Sequence, residues 1–144
     1  MTSFDLQRFV SAQDRDDIYL RALSELLHGK KATHWIWFVF PQIAGLGLSE
    51  TAQYFSISSR DEARAYLQHD LLGPRLLEAS EAVLANPERT LEEIFGELDA
   101  MKFRSSMSLF YRVDPSNEVF KLAIERYCHG EPDAATDQIL GAAP

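Results

Sequence analysis

The chain has 144 residues, the length of one domain, and a domain of this size buries roughly two-thirds of the surface of its unfolded chain. Hydrophobic residues make up 46% of it, charged residues 25% and aromatic residues 11%, a composition typical of a globular protein slightly rich in aromatics. The net charge of -8 argues against broad, unspecific nucleic-acid binding, because such binding requires basic surface.

Cysteine content and hydropathy narrow the class further. Cys128 is the sole cysteine, so an internal disulfide framework and a multi-cysteine zinc site are excluded. The chain lacks a basic start followed by an apolar segment, and the apolar run 36–40 is far too short to span a bilayer. We therefore expect a cytoplasmic protein without membrane contact, either a monomer or a simple homo-oligomer.

Helical signals begin near the N-terminus. Ser3 is a suitable N-cap for a first helix over residues 5–12. The acidic cluster that follows favours the start of a second helix, since carboxylates there complement the helix dipole. Gly29 is expected to end this helix as a C′ residue, and Lys30 and Lys31 beyond it are predicted to be solvated.

The stretch 34–49, HWIWFVFPQIAGLGLS, is the most unusual in the chain. Its aromatic and β-branched residues would suit a strand, but no comparable partner strand is visible elsewhere. We therefore predict a buried helical turn or two that ends at Pro41. Gln42 and the glycines that follow could complete a pocket wall with a hinge, or the block could simply be the densest part of the core.

Helical patterns continue to the C-terminus. Ser49 is an expected cap, Ser59 with Glu62 and Thr90 with Glu93 form capping-box patterns, and Asp114 or Ser116 is the expected cap of the last long helix. Four of the predicted helical segments have defined ranges, namely 60–68, 71–84, 99–110 and 134–140. Three more are a short helix through Phe55, a helix ending at Gly96 and a helix ending before Gly130. The prediction is an all-α fold, a single compact multihelical domain of about eight helices over residues 1–144.

A second notable stretch is KFRSSMS, residues 102–108. It places Lys102, Arg104, Ser105 and Ser106 close together, and such donors suit an anionic group such as phosphate or carboxylate. The alternative is a polar helix face on which a serine hydroxyl bonds to a carbonyl one turn back. Asp99 lies beside this cluster, either as an N-cap or as an acid or base in a pocket.

Other kinds of site find less support. His34 suits a ligand contact or a helix-end residue that bonds to the backbone, and the four histidines show no two-histidine metal spacing. The Gly-x-Ser-x-Gly motif of a serine nucleophile is absent. Residues 45–47 lack the third glycine of the dinucleotide-binding fingerprint. We therefore expect neither a metal nor a cofactor.

Several pieces of the sequence resemble the bacterial family known as domain of unknown function 1810. They are DLQRFVSAQ, HWIWFVFPQIAGLGLS, LGPRLLE, IFGELDAMKFRSSMSLF and the closing helix with Gly130 and Asp133. This resemblance implies a mostly helical domain with no established biochemical role. The block MKFRSSMSLF is also similar to a segment of the NADAR family, helical N-glycosidases that act on ADP-ribosyl or related substrates. That similarity rests on Lys102 and Phe103, and the Glu-His pair of NADAR has no counterpart here.

Two hypotheses follow. The first is a pocket that binds a nucleotide-like or ADP-ribose-like small molecule through its phosphate or ribose groups, with N-glycosidase activity as an optional extension. Its catalytic candidates are Asp99 and Lys102, and its ligand-binding candidates are His34, Trp35, Trp37, Gln42, Tyr54, Arg75, Arg104, Ser105 and Ser106. The alternative is a non-enzymatic helical protein-interaction domain, and an acidic inhibitor-like partner is a third option. The first hypothesis requires Gln42, Trp37 and Lys102 to meet at one cavity.

Overall fold

The computed structural model describes residues 4–141, and this part of the chain is built from α-helices. The ten α-helices are Gln7–Asp14 (α1), Ile18–Leu27 (α2), Ile36–Val39 (α3), Glu50–Tyr54 (α4), Arg60–Gln68 (α5), Leu72–Leu84 (α6), Leu91–Phe95 (α7), Glu97–Val113 (α8), Glu118–Tyr127 (α9) and Ala134–Leu140 (α10). A 3-10 turn at Arg15–Asp17 joins α1 to α2. The all-α prediction is confirmed. The helices number ten in residues 4–141, where about eight were expected.

Helix α8 is the central element. It packs against α3, α5, α7, α9 and α10, so residues 105–110 are buried without interruption. Phe103 on this helix stacks on Phe95 at a ring distance of 5.0 Å and meets the edge of Phe40 at 4.9 Å. Because this half of α8 is enclosed, it lacks the exposed polar stripe of a surface helix, and Ser105, Ser106 and Ser108 are buried with the apolar residues.

Local capping signals locate most helix ends. The hydroxyls of Ser49 and Ser59 accept the backbone N–H groups of Ala52 and Glu62, and Thr90 with Glu93 forms the complete capping box. Gly29 has φ +76° and follows α2, as predicted for a C′ glycine.

Three capping predictions need correction or fall outside the structure. The Glu62 carboxylate accepts the N–H of Ser58 and pairs with Arg8 instead of closing a box on Ser59. Helix α9 is capped by Asn117, whose side chain accepts the N–H of Val119, and not by Asp114 or Ser116. Ser3 lies outside the described residues, and the first helix begins at Gln7, two residues later than predicted.

The aromatic block forms a single helical turn, α3, as predicted. The segment after α3 pairs with Ile57: the N–H of Ile57 donates to the carbonyl of Gln42 and the N–H of Ala44 donates to the carbonyl of Ile57, both at 2.8 Å. This isolated bridge between Ile43 and Ile57 fixes the backbone on either side of Ile43, directly after Gln42. It places the segment 42–47 opposite α8.

Candidate functional site

One face of α8 borders a surface hollow of about 250 Å³. Leu98, Met101, Lys102 and Ser105 line it, and their spacing of three, four and seven residues places them on one side of a helix. The opposite walls come from the 42–47 segment and the start of α10. The full lining is Gln42, Leu46, Gly47, Leu98, Met101, Lys102, Ser105, Asp133 and Ala135. Gln42 and Lys102 therefore meet at one concave surface.

Lys102 is the cation of this hollow. Its ammonium nitrogen lies 3.2 Å from Oδ1 of Asp99, one turn earlier on α8, and 5.8 Å from the centre of the Trp37 ring. The lysine side chain is 27% exposed, so the ion pair is partly screened by water and its charge can still be reached by a ligand. Trp37 is half-buried and lies beside the hollow without lining it, so only Gln42 and Lys102 of the three residues that the first hypothesis requires at one cavity line it.

Behind Lys102 lies a second lysine that the sequence places at the surface. Lys31 was predicted to be solvated, and this is wrong: its side chain is 7% exposed and its ammonium lies 2.8 Å from Oδ2 of Asp99. It also donates to the carbonyl of Thr33 at 2.6 Å and lies 5.1 Å from the centre of the Trp35 ring. Both carboxylate oxygens of Asp99 are thus engaged by ammonium groups. This arrangement suits a fixed negative charge better than a proton-transfer group.

Glu25 anchors the other end of the same network. Its Oε1 accepts the indole N–H of Trp35 at 2.9 Å and the backbone N–H groups of Ala32 and Thr33. Its Oε2 accepts the hydroxyl of Thr33. Burial opposes ionisation of this carboxyl, but the hydrogen bonds outweigh it and lower the pKa of Glu25 below its ordinary value. Trp35 itself is completely buried, so the structure places it in the core and away from the hollow.

Asp133 is the carboxylate that faces the hollow. Its Oδ2 lies 3.1 Å from the hydroxyl of Ser105 and accepts the N–H and hydroxyl of Thr136 at 3.0 and 2.6 Å. Its own N–H donates to the hydroxyl of Ser108 at 2.7 Å. These contacts hold Asp133, the residue that directly precedes α10, against α8. Within residues 4–141 every hydrogen bond to this carboxylate goes to Oδ2, so Oδ1 has no protein donor there.

Several expected site residues lie elsewhere. Arg104 donates to the carbonyl of Glu131 at 2.7 Å and closes the loop before α10. Ser106 is fully buried, and its hydroxyl has no partner in the described part of the chain. The Ser105 hydroxyl lies 3.0 Å from the carbonyl of Met101, so the one-turn-back bond considered for this segment is present.

The other predicted contacts are also distributed away from the hollow's lining. Arg75 pairs with Asp14 at 2.8 Å and lies over the ring of Tyr19. Tyr54 is 59% exposed with its ring against Phe55, and His34 is exposed. The structure therefore brings together Gln42, Lys102 and Ser105, with Trp37 and Asp99 beside them.

The sequence patterns did not identify three residues that line or support the hollow, namely Asp133, Lys31 and Glu25. Asp133 carries a detectable local signal, because an aspartate directly before a helix is a typical N-cap, and its side chain indeed accepts the N–H of Thr136. That signal does not reveal that the same carboxylate meets Ser105. Lys31 follows a helix-ending glycine, a position at which lysines are commonly solvated, and its burial results from contacts with a helix about seventy residues away.

A larger hollow, about 680 Å³, lies beside the loop before α10. Its charged residues are Glu131, Arg112 and Asp137, and the last two form a two-point ion pair with both distances at 2.8 Å. Hydrogen bonding to that carboxylate raises the pKa of Arg112. Arg112 is 25% exposed, much like Lys102 at 27%, and its two-point pair occupies both carboxylate oxygens of Asp137. In the smaller hollow, by contrast, Oδ1 of Asp133 has no donor within residues 4–141.

Sequence comparison decides the family. A family model described as "Protein of unknown function (DUF1810)" matches residues 3–140. The chain belongs to the DUF1810 family. The DUF1810 match confirms the first resemblance seen in the sequence, whereas the similarity to NADAR stays a prediction. No curated protein matches this DUF1810 chain.

A solved structure agrees with the family and the fold. The crystal structure of the conserved hypothetical protein Rv1873 from Mycobacterium tuberculosis is 47% identical in sequence and superposes with a TM-score of 0.93. The match covers 97% of this DUF1810 chain and 99% of the other chain.

Within residues 4–141, the helices are all too short or too polar to cross a membrane.

Proposed function

We propose that the hollow beside α8 binds the ribose and phosphate groups of a nucleotide-like or ADP-ribose-like small molecule. The observation that carries the proposal is the convergence of Gln42, Lys102, Ser105 and Asp133 on one concave surface. An ammonium, an amide, a hydroxyl and a carboxylate together match the acceptors and donors of a phosphorylated sugar.

The charges of the hollow orient such a ligand. A phosphate is attracted to Lys102 and repelled by Asp133, so it takes the lysine side, and the ribose hydroxyls donate to the carboxylate. Lys102 has three N–H donors, and its ion pair with Asp99 uses one of them. When a phosphate draws this lysine away, Asp99 keeps Lys31 as its partner. No buried charge is left unpaired by the exchange.

The size of the hollow limits what it encloses. Its 250 Å³ falls below the roughly 300–1,000 Å³ of cavities that enclose a drug-sized ligand. It therefore accommodates no more than a nucleoside monophosphate, and the second half of a larger molecule such as ADP-ribose extends along the surface.

A second candidate function, N-glycosidase activity, is favoured by the open oxygen of Asp133. In this reaction water bonds to the anomeric carbon, the bond from that carbon to the base breaks, and the base leaves with a proton. The cationic sugar of the transition state is stabilised by a nearby carboxylate. Asp133 lines the hollow, whereas Asp99 lies behind Lys102. We therefore assign the contact with the sugar to Asp133, with Asp99 as the fixed charge that positions Lys102.

The binding proposal is tested by thermal unfolding with ADP-ribose, NAD and nucleoside monophosphates. A ligand at a hundred times its dissociation constant stabilises the folded state by about 2.7 kcal/mol. We expect this stabilisation in the wild type and in Lys30→Ala, which removes an exposed lysine, and its loss in Lys102→Ala. If no compound raises the unfolding temperature, the binding proposal fails and the non-enzymatic interaction domain is favoured.

Cleavage is tested separately by chromatographic detection of the released base. We expect release by the wild type and none by Asp133→Asn, a variant that retains a good N-cap for α10. Binding without release identifies the protein as a binding module and removes the second candidate function.

A further inference from the structure

The hollow has an apolar end that the ribose and phosphate contacts leave unused. Leu98 and Met101 are 74% and 67% exposed, and both line the hollow one turn before Lys102 and Ser105. Large apolar side chains that are this exposed to solvent tend to mark a contact surface when they lie next to several polar groups that point into one cavity.

The order of residues along α8 gives the hollow a direction. Leu98 and Ser105 are seven residues apart, which corresponds to about 10 Å along a helix axis. The apolar side chains occupy the first turn of this stretch, and Lys102 and Ser105 occupy the second. On the facing segment, Leu46 adds a third large apolar side chain to the lining. A side chain at Gly47 would overlap Ala52, so this wall is held close to the start of α4.

We propose that the apolar end, formed by Leu98, Met101 and Leu46, holds the planar ring of a nucleobase or a similar heteroaromatic group. The site would then take a nucleoside phosphate in preference to a free sugar phosphate. This inference rests on the proposed binding of ribose and phosphate at Lys102. It commits to a small-molecule occupant because the apolar residues share one hollow with Lys102, Ser105 and Asp133.

The placement of the aromatic side chains supports this assignment. Trp35 is fully buried and Tyr54 does not line the hollow, so neither provides the stacking surface expected from the sequence. Trp37 already has the ammonium of Lys102 at its ring. Leucine and methionine side chains pack well against a flat ring, and the thioether of Met101 adds a favourable sulfur–aromatic contact.

The test compares two probes, ribose 5-phosphate and adenosine 5′-monophosphate, by calorimetric titration. The variants are Leu98→Ser and Met101→Ser, with Leu20→Ser as the matched control because Leu20 is a 63% exposed leucine on α2. We expect the wild type and Leu20→Ser to bind the nucleotide about tenfold more tightly than the sugar phosphate. In the two α8 variants this preference is lost, while affinity for the sugar phosphate is unchanged.

Three results would overturn the inference. Equal affinity of the wild type for both probes refutes the apolar subsite and leaves the binding proposal intact. Binding of neither probe, together with no response to ADP-ribose or NAD, overturns both proposals. If light scattering shows that the wild type is a dimer and that Leu98→Ser is a monomer, this end of the hollow is an interface between copies of the chain.

Discussion

The ammonium nitrogen of Lys31 lies 2.8 Å from Oδ2 of Asp99, and the lysine side chain is 7% exposed. This contact joins the loop after α2 to the first turn of α8. It holds the carboxylate that pairs with Lys102, so the position of the cation in the hollow depends on a residue outside it.

Replacing Lys31 by methionine is expected to lower the free energy of unfolding by about 2 kcal/mol. This is less than the roughly 3–5 kcal/mol of a fully broken buried pair, because Asp99 retains Lys102. The measurement is urea denaturation. Lys30→Met is the control, and as a surface change it should cost less than about 0.5 kcal/mol. Equal effects of the two variants would show that Lys31 is not buried in a stabilising pair.

The two tryptophans should differ in their fluorescence. Trp37→Phe leaves only the buried Trp35, so we expect blue-shifted emission and weak quenching by acrylamide. Trp35→Phe leaves the half-buried Trp37 and should be quenched more readily. It should also be less stable, because Glu25 loses the indole N–H. Similar quenching in both variants would contradict the burial assigned to Trp35.

Gly73 is predicted to be intolerant of alanine. An added Cβ would overlap the carbonyl oxygen of Leu67, a backbone atom that cannot rotate away. We expect Gly73→Ala to lower the free energy of unfolding by about 3 kcal/mol. A Cβ added at Gly141 meets no atom of residues 4–141 within 4 Å, but φ there is +71°, so Gly141→Ala should cost about 1 kcal/mol in backbone strain alone. Thermal or urea unfolding distinguishes the two, and the reverse order would contradict the packing at Gly73.

Stability should fall in acid partly through Glu25, whose pKa is lowered from 4.5 in the folded protein. The unfolded chain binds this proton at higher pH than the folded protein does, so the carboxylate stabilises the fold above its unfolded pKa. That contribution is lost as the pH falls from the unfolded value through the lower folded one. Urea unfolding between about pH 3 and pH 7 should show a shallower acid slope for Glu25→Gln than for the wild type. Identical slopes would exclude this role.

Cys128 should be unreactive in the folded protein. It is buried, and burial raises the pKa of its thiol to about 11, although the Arg104 guanidinium acts in the opposite direction. Roughly one thiol in a thousand is then ionised at pH 8, and the thiolate is the reactive form. A disulfide reagent at pH 8 is expected to label the native protein slowly and the urea-unfolded protein at once. Rapid labelling of the native protein would contradict this burial.

Helix ends were well predicted because capping is local. Thr90 and Glu93 bond to each other's backbone across three residues, and Gly29 adopts the positive φ that its position after α2 requires. The cap of α9 was missed because Asp114, Ser116 and Asn117 are neighbours with similar capping ability. Which of them acts depends on where the incoming chain turns.

The candidate site was predicted in part. Lys102 and Ser105 share a helix face by spacing, so their meeting follows from helix geometry. The choice between Trp35 and Trp37 does not follow, because a single turn of helix can be rotated to bury either indole. Packing against Phe40 and the hydrogen bond to Glu25 decide that Trp35 is the buried one.

By itself, the sequence determined the helical class, most helix ends and the polar composition of the 102–108 segment, since these depend on groups within a few residues of one another. Only the tertiary structure decided that Gln42 and Asp133 reach the same hollow as Lys102, and that Lys31 lies beneath it. Such meetings depend on the angles at which helices pack, and those angles are set by the shapes of many side chains acting together.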